Sequence, residues 1–220
     1  MANSHISEQA STALSDKSLC CPLSDTARKI ADTFQNLVMV RGFNAVSYGD
    51  LAKELGIRTA SIHYHFPTKA ELGATVLTRY RDNTMNAWQD IDAGDPESNT
   101  PEIYKKAYES FMAPIRPVRD MQGVSCLFGV LGATYETLCP NIQGILASFF
   151  VEQEVWLARV FKGGRDAGVF HFPGTATSFA KLYTSALQGA MLIKKSTGKP
   201  EHFDAVIEQL EGMLFGVGRT

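Results

Sequence analysis

Residues 57–72 read IRTASIHYHFPTKAEL, and the fold turns on whether this stretch is a strand or a short helix. As a strand it would set His63 and His65 on one side, at a spacing that suits a metal chelate or a base with its partner. Pro67 argues otherwise. The residue ahead of a proline is steered away from helical backbone, so a helix here must end by Phe66. Thr68-Lys69-Ala70-Glu71 then spells a T-x-x-E capping box, which opens a new helix. A short helix near Thr59 satisfies both signals. On it, positions two apart lie ~200° apart around the axis, so His63 and His65 cannot hold one ion. Ile62, His65 and Phe66 share one face at i, i+3, i+4, while Ala60, His63 and Tyr64 share the opposite one. His65 is expected inward and His63 outward.

Upstream, Ala27, Ile30, Ala31, Phe34, Leu37 and Val38 recur at helical spacing, and Gly42 after Arg41 reads as a left-handed stop. Ser47 with Asp50 forms an approximate capping box for a second helix that turns Leu51, Ala52 and Leu55 inward and stops at Gly56. Two short helices joined by a tight glycine turn, with a third packed across them, make a helix-turn-helix, which stands its second helix in the DNA major groove. Arg58, Thr59, Ser61, His63 and Tyr64 gather on one convex surface. Lys69 adds a hint of its own. A cation in the first turn of a helix opposes the macrodipole, but it makes sense where that terminus receives a phosphate.

Downstream, the capping box opens a helix that runs to about Trp88, and AGDPESNT at 93–100 is a loop by composition. Further helices are expected near 101–113, 124–138, 141–167, 175–196 and 202–216, the first interrupted by Pro114 and Pro117. Nothing alternates with period two over a useful length, which predicts an all-α protein. Its parts are a loose Ser- and Ala-rich tail over 1–23, a three-helix DNA-binding domain over 24–69 and a larger helical domain over 70–220.

The chain has 220 residues, 45% hydrophobic and 20% charged, which describes an ordinary globular protein. Its net charge of −2 is unevenly spread: Asp25 to Arg81 carries eight basic and five acidic residues, a local +3 on an acidic remainder. A basic end on an acidic body suits a polyanionic partner. Four cysteines without a CxxC pair give neither a disulfide framework nor a zinc motif. No signal peptide and no apolar run of membrane-spanning length are evident, so a reduced, cytoplasmic setting without membrane contact is expected. No cofactor or metal is implied. No Cys/His/acid constellation of an enzyme is visible either.

The run Leu51-Ala52-Lys53-Glu54-Leu55-Gly56-Ile57, followed by Ser61-Ile62-His63-Tyr64-His65-Phe66-Pro67-Thr68-Lys69-Ala70-Glu71-Leu72, resembles the DNA-binding signature of TetR/AcrR-type transcriptional regulators. The resemblance is close over 25–80. It implies that Thr59, Ala60, Ser61, His63 and Tyr64 face operator DNA, that Lys69 meets a phosphate, and that Ser47 and Tyr48 touch the backbone. The family commonly has a tyrosine where His63 stands, so its operator preference does not carry over. The resemblance also implies a homodimer through 175–217, built on the last two helices. Two apolar stripes fit this: Phe179, Leu182, Tyr183, Ala186, Ala190, Ile193, and Phe203, Val206, Ile207, Leu210, Met213, Leu214, Val217.

By the same resemblance, a small-molecule effector binds the C-terminal domain and releases the operator. Phe111, Met112, Phe128, Tyr135, Phe149, Trp156 and Tyr183 are candidates to line an apolar cavity, with Cys126 beside it. An alternative is a repressor that senses electrophiles or oxidants through Cys126, whose place early in a helix would favour the thiolate. An alternative of another class is a helical enzyme without DNA binding.

Overall fold

The computed structural model describes residues 23–88 and 100–216. The tail expected over 1–23 and the loop expected over 93–100 fall almost wholly outside these residues. The described chain folds into nine α-helices: α1 (Asp25–Arg41), α2 (Tyr48–Leu55), α3 (Thr59–His65), α4 (Lys69–Trp88), α5 (Pro101–Met112), α6 (Leu127–Gly132), α7 (Pro140–Asp166), α8 (Ala176–Thr197) and α9 (Pro200–Phe215). Short 3₁₀ turns lie at Arg116–Arg119 and Tyr135–Thr137. Among the described residues no strand forms, and one isolated bridge joins His171 to Phe215.

The helix limits follow from local chemistry. Ser24 accepts from the Ala27 amide at 3.3 Å to open α1, and Thr175 does the same for Ser178 at the start of α8, at 3.1 Å. α5, α7 and α9 each begin on a proline, the residue whose missing N–H costs nothing there. Gly42 ends α1 with φ 85° and ψ 157°. That is a positive φ open to glycine, but with extended ψ in place of the left-handed helical turn expected.

One expected helix is largely replaced. The segment 124–138 holds only the six residues of α6 and a 3₁₀ turn. Two glycines, Gly129 and Gly132, weaken helix here. At the start of the segment the Val124 carbonyl accepts from the buried ammonium of Lys194 of α8 at 3.2 Å, beside those of Val118 and Met121 just ahead of it, at 2.5 and 2.6 Å. Cys126 therefore sits at the N-cap, outside α6.

α1, α2 and α3 pack on one another around Ile30, Phe34, Leu51 and Ile62, all buried, and α1 also packs on α4. The remainder is built around α7 and α8, the most extensive pairing, with α9 on the far side of α8 and α4 and α5 against α7. Close approach is built in. A methyl group on Gly164 would fall 2.1 Å from the Phe170 ring. A polar thread crosses this core: the Tyr108 and Tyr183 hydroxyls meet at 2.7 Å, Tyr108 donates to Glu211 at 2.8 Å, and Arg116 bridges Glu109 and Glu211. Burial is the main cause that pushes both phenols upward.

The two apolar stripes of α8 and α9 each divide. Phe179, Tyr183, Ala190, Phe203, Leu210 and Leu214 are buried in the chain's own core. Leu182, Ile193 and Met213 remain 49%, 44% and 43% exposed. Ala186, Val206 and Ile207 are half-buried, and Val217 lies outside the described residues. The six buried members are tied up within one chain because α8 packs on both α7 and α9.

Candidate nucleic-acid interface and interior cavity

α2 begins with a reciprocal cap. The Ser47 amide donates to Asp50 Oδ2 at 2.8 Å, and the Asp50 amide donates to Ser47 Oγ at 3.2 Å. The Ser47 hydroxyl also donates to the carboxylate, which holds Asp50 below the usual carboxylate range. Gly56 follows at φ 67°, ψ 29°, a left-handed residue that reverses the chain in one step. Ile57 and the buried Ile62 then anchor α3.

What α3 presents is polar and open. Arg58, Thr59, Ala60, Ser61, His63 and Tyr64 are all exposed, Tyr64 at 84%. His63 Nδ1 lies 3.3 Å from the Pro67 carbonyl, and its ring sits 4.7 Å from that of Tyr48. With the proton on Nδ1, this contact leaves Nε2 as the acceptor edge. His65 is half-buried against Tyr64, so it sits at the margin of the core and not within it.

Two residues expected at phosphates also make contacts within the chain. The Tyr48 hydroxyl donates to the Phe66 carbonyl at 2.8 Å, tying α2 to the end of α3. Burial, and then the Glu71 charge, push this phenol up to about 12. Lys69 opens α4, but its ammonium lies 4.6 Å from the centre of the Phe43 ring. Burial lowers its pKa. The T-x-x-E box is formed, since Thr68 N donates to Glu71 and Glu71 N to Thr68. Glu71 thus already supplies negative charge to this helix start, which weakens the dipole argument made for Lys69.

Behind this unit, a cavity of about 210 Å³ is enclosed by residues of α1, α4, α5, α7, α8 and the 113–126 segment. Its wall is aromatic: Tyr80, Trp88, Phe111 and Phe149. Phe111, Phe149 and Cys126 are among the residues that line it. Phe128 stacks behind Phe149 at 3.9 Å, and Trp156 stacks behind Trp88 at 4.9 Å. Met112 and Tyr183 are core residues outside the lining, and Tyr135 is 38% exposed on a 3₁₀ turn. Beside Cys126, the Tyr80 phenol is pushed far above its usual range, first by that neighbour and then by burial.

Several lining residues lie beyond the sequence reading: Met39, Gln153, Thr184, Gln188 and Met191. The signal for Thr184 and Gln188 was available, because they break an otherwise apolar stripe one turn apart on α8. A wider, more open groove of about 1000 Å³ runs between the end of α7 and α9, past Arg165, His171, Glu208 and Met213. Among the described residues no group of three or more His, Cys, Asp or Glu is placed to hold a metal ion, and no described helix is long and apolar enough to cross a membrane.

Residues 35–75 match the family model for bacterial regulatory proteins of the tetR family. Among curated proteins there is no match. Among solved structures, a TetR-family transcriptional regulator from Agrobacterium tumefaciens is 25% identical with a TM-score of 0.72, covering 86% of this chain and 97% of that one. A TetR transcriptional regulator from Legionella pneumophila is 26% identical with a TM-score of 0.71, covering 88% and 100%. The reduced form of E. coli NemR shares the fold at 18% identity, with a TM-score of 0.67 over 86% and 97% of the chains.

Proposed function

With a TetR-family N-terminal segment on the fold of that family's transcriptional regulators, we propose that this chain is a ligand-responsive, DNA-binding repressor acting in the cytoplasm. In this reading residues 24–69 bind the operator and residues 70–220 bind the effector and a second copy. Thr59, Ala60, Ser61, His63 and Tyr64 enter the major groove, while Ser47, Arg58 and Lys69 meet the phosphate backbone. Tyr48 supports α3 from behind. The exposed halves of the α8 and α9 stripes pair two copies, and so space two recognition helices on a two-fold operator.

One observation carries the ligand-responsive part. Met39, in the last turn of α1, lines the interior cavity, and Lys195 of α8 donates to the Met39 carbonyl at 2.7 Å. A molecule in the cavity therefore touches the DNA-binding unit directly, beside the bond that ties it to α8. A ligand that meets this junction differently in the DNA-bound and free states would shift the equilibrium between them.

The test is a mobility shift on the promoter upstream of the chain's own reading frame. Binding should weaken as salt rises, because phosphate contacts release counterions. Absence of a shift at low salt on that promoter and its neighbours would refute the proposal.

A further inference from the structure

The cavity combines three features that together specify a ligand class. The first is size. About 210 Å³ compares with ~150 Å³ for an apolar cavity that accepts benzene, so it has room for one ring and a few further heavy atoms. The second is charge. Among the described residues that line it, none is Asp, Glu, Lys or Arg. An ion placed here would lose its hydration without a counter-charge, which is strongly unfavourable.

The third is a set of polar atoms without partners. Gln153 Oε1, Thr184 Oγ1 and Gln188 Oε1 are buried and accept or donate no hydrogen bond within the protein, and all three side chains line this cavity. A buried polar atom left without a partner is costly, so native structures hold few of them. Trp88 Nε1, on the aromatic side, is likewise buried without a partner; the other three group on α7 and α8 as a polar pole awaiting a partner. Thr184 and Gln188 stand one turn apart on α8, with Gln153 supplied by α7. Gly129 matters too, because a methyl group there would fall 2.2 Å from Gln188 Oε1. Glycine is what lets that amide lie where it does.

We infer that the effector is an uncharged, single-ring aromatic molecule bearing a hydroxyl or primary carboxamide, its ring against Trp88, Phe111 and Phe149 and its polar group on Gln153, Thr184 and Gln188. A hydroxyl or carboxamide both donates and accepts, so it satisfies either orientation of the two glutamine amides. The inference rests on the reading of this cavity as the effector site.

Calorimetric titration of the full chain, without DNA, tests it with three probes of matched shape: 3-hydroxybenzamide, 3-hydroxybenzoate and m-xylene. The amide should bind at least tenfold more tightly than either of the others. Thr184→Val, nearly isosteric, should weaken the amide fivefold or more and leave m-xylene unchanged. Equal or tighter binding of the carboxylate, no binding by any probe, or an unmoved amide affinity in Thr184→Val overturns the inference. Operator release is read separately. An amide that binds as described but leaves the operator complex intact would sink the reading of this cavity as the effector site and leave the class of molecule it takes standing.

Discussion

Tyr48→Phe removes one oxygen and leaves the ring in place against His63, 4.7 Å away, so no cavity forms and the change isolates a single hydrogen bond. In the parent that hydroxyl donates to the Phe66 carbonyl at 2.8 Å, joining the start of α2 to the residue that ends α3. Its loss should cost about 1 kcal/mol, rising toward ~3 kcal/mol if the carbonyl is left without a donor. Urea denaturation at fixed protein concentration measures this as a lower midpoint with unchanged slope. The pH dependence carries the same signature. Burial raises the phenol from 10.0 to about 12, so the native state holds this proton more tightly than the unfolded chain. The stability it adds is present below pH 10 and is lost as pH rises toward 12. The difference between parent and Tyr48→Phe should shrink across that window. The rival role, a phosphate contact, predicts the reverse pattern. Unfolding would be unchanged, while operator affinity falls at an unchanged salt slope, because a neutral hydroxyl releases no counterion. That result would refute the structural reading of Tyr48.

Tyr64, 84% exposed, touches little that holds the fold, so Tyr64→Ala should shift stability by less than about 0.5 kcal/mol while lowering operator affinity at least tenfold in fluorescence anisotropy; intact affinity would remove it from the interface. Gly164→Ala puts a methyl group 2.1 Å from the Phe170 ring, and overpacking of ~1–3 kcal/mol should outweigh the ~1 kcal/mol gained in helix propensity, giving a lower thermal midpoint. Cys126→Ser should leave release by a neutral ligand intact; loss of all release, with a response of the parent to electrophiles, would instead favour the thiol as the sensor.

Much of the DNA-binding unit was legible in the sequence because its signals are local. A capping box, a glycine at positive φ and a proline each act within one turn of chain, so Ser47, Gly56 and Pro67 mark the ends of α2 and α3 without reference to anything distant. The outward face of α3 followed from helical period alone. His65 was less well determined, since period gives a direction but not a depth, and the half-buried position depends on what packs beside it.

The sequence by itself determined where the short helices α2 and α3 begin and end and which face of α3 is free, because hydrogen bonding and capping in a helix are satisfied between neighbours. Only the tertiary structure decided what the rest of the chain does with its faces. α8 is one long amphipathic run in sequence, yet it meets α7, α9, the 113–126 segment and the end of α1 at once. Its apolar stripe is consequently divided between core and exposed surface, Lys194 is buried on the carbonyls of Val118, Met121 and Val124, and Thr184 and Gln188 become part of the polar pole of a cavity. These outcomes rest on contacts between residues far apart in the chain, and neither periodicity nor propensity reports which partner a face will find.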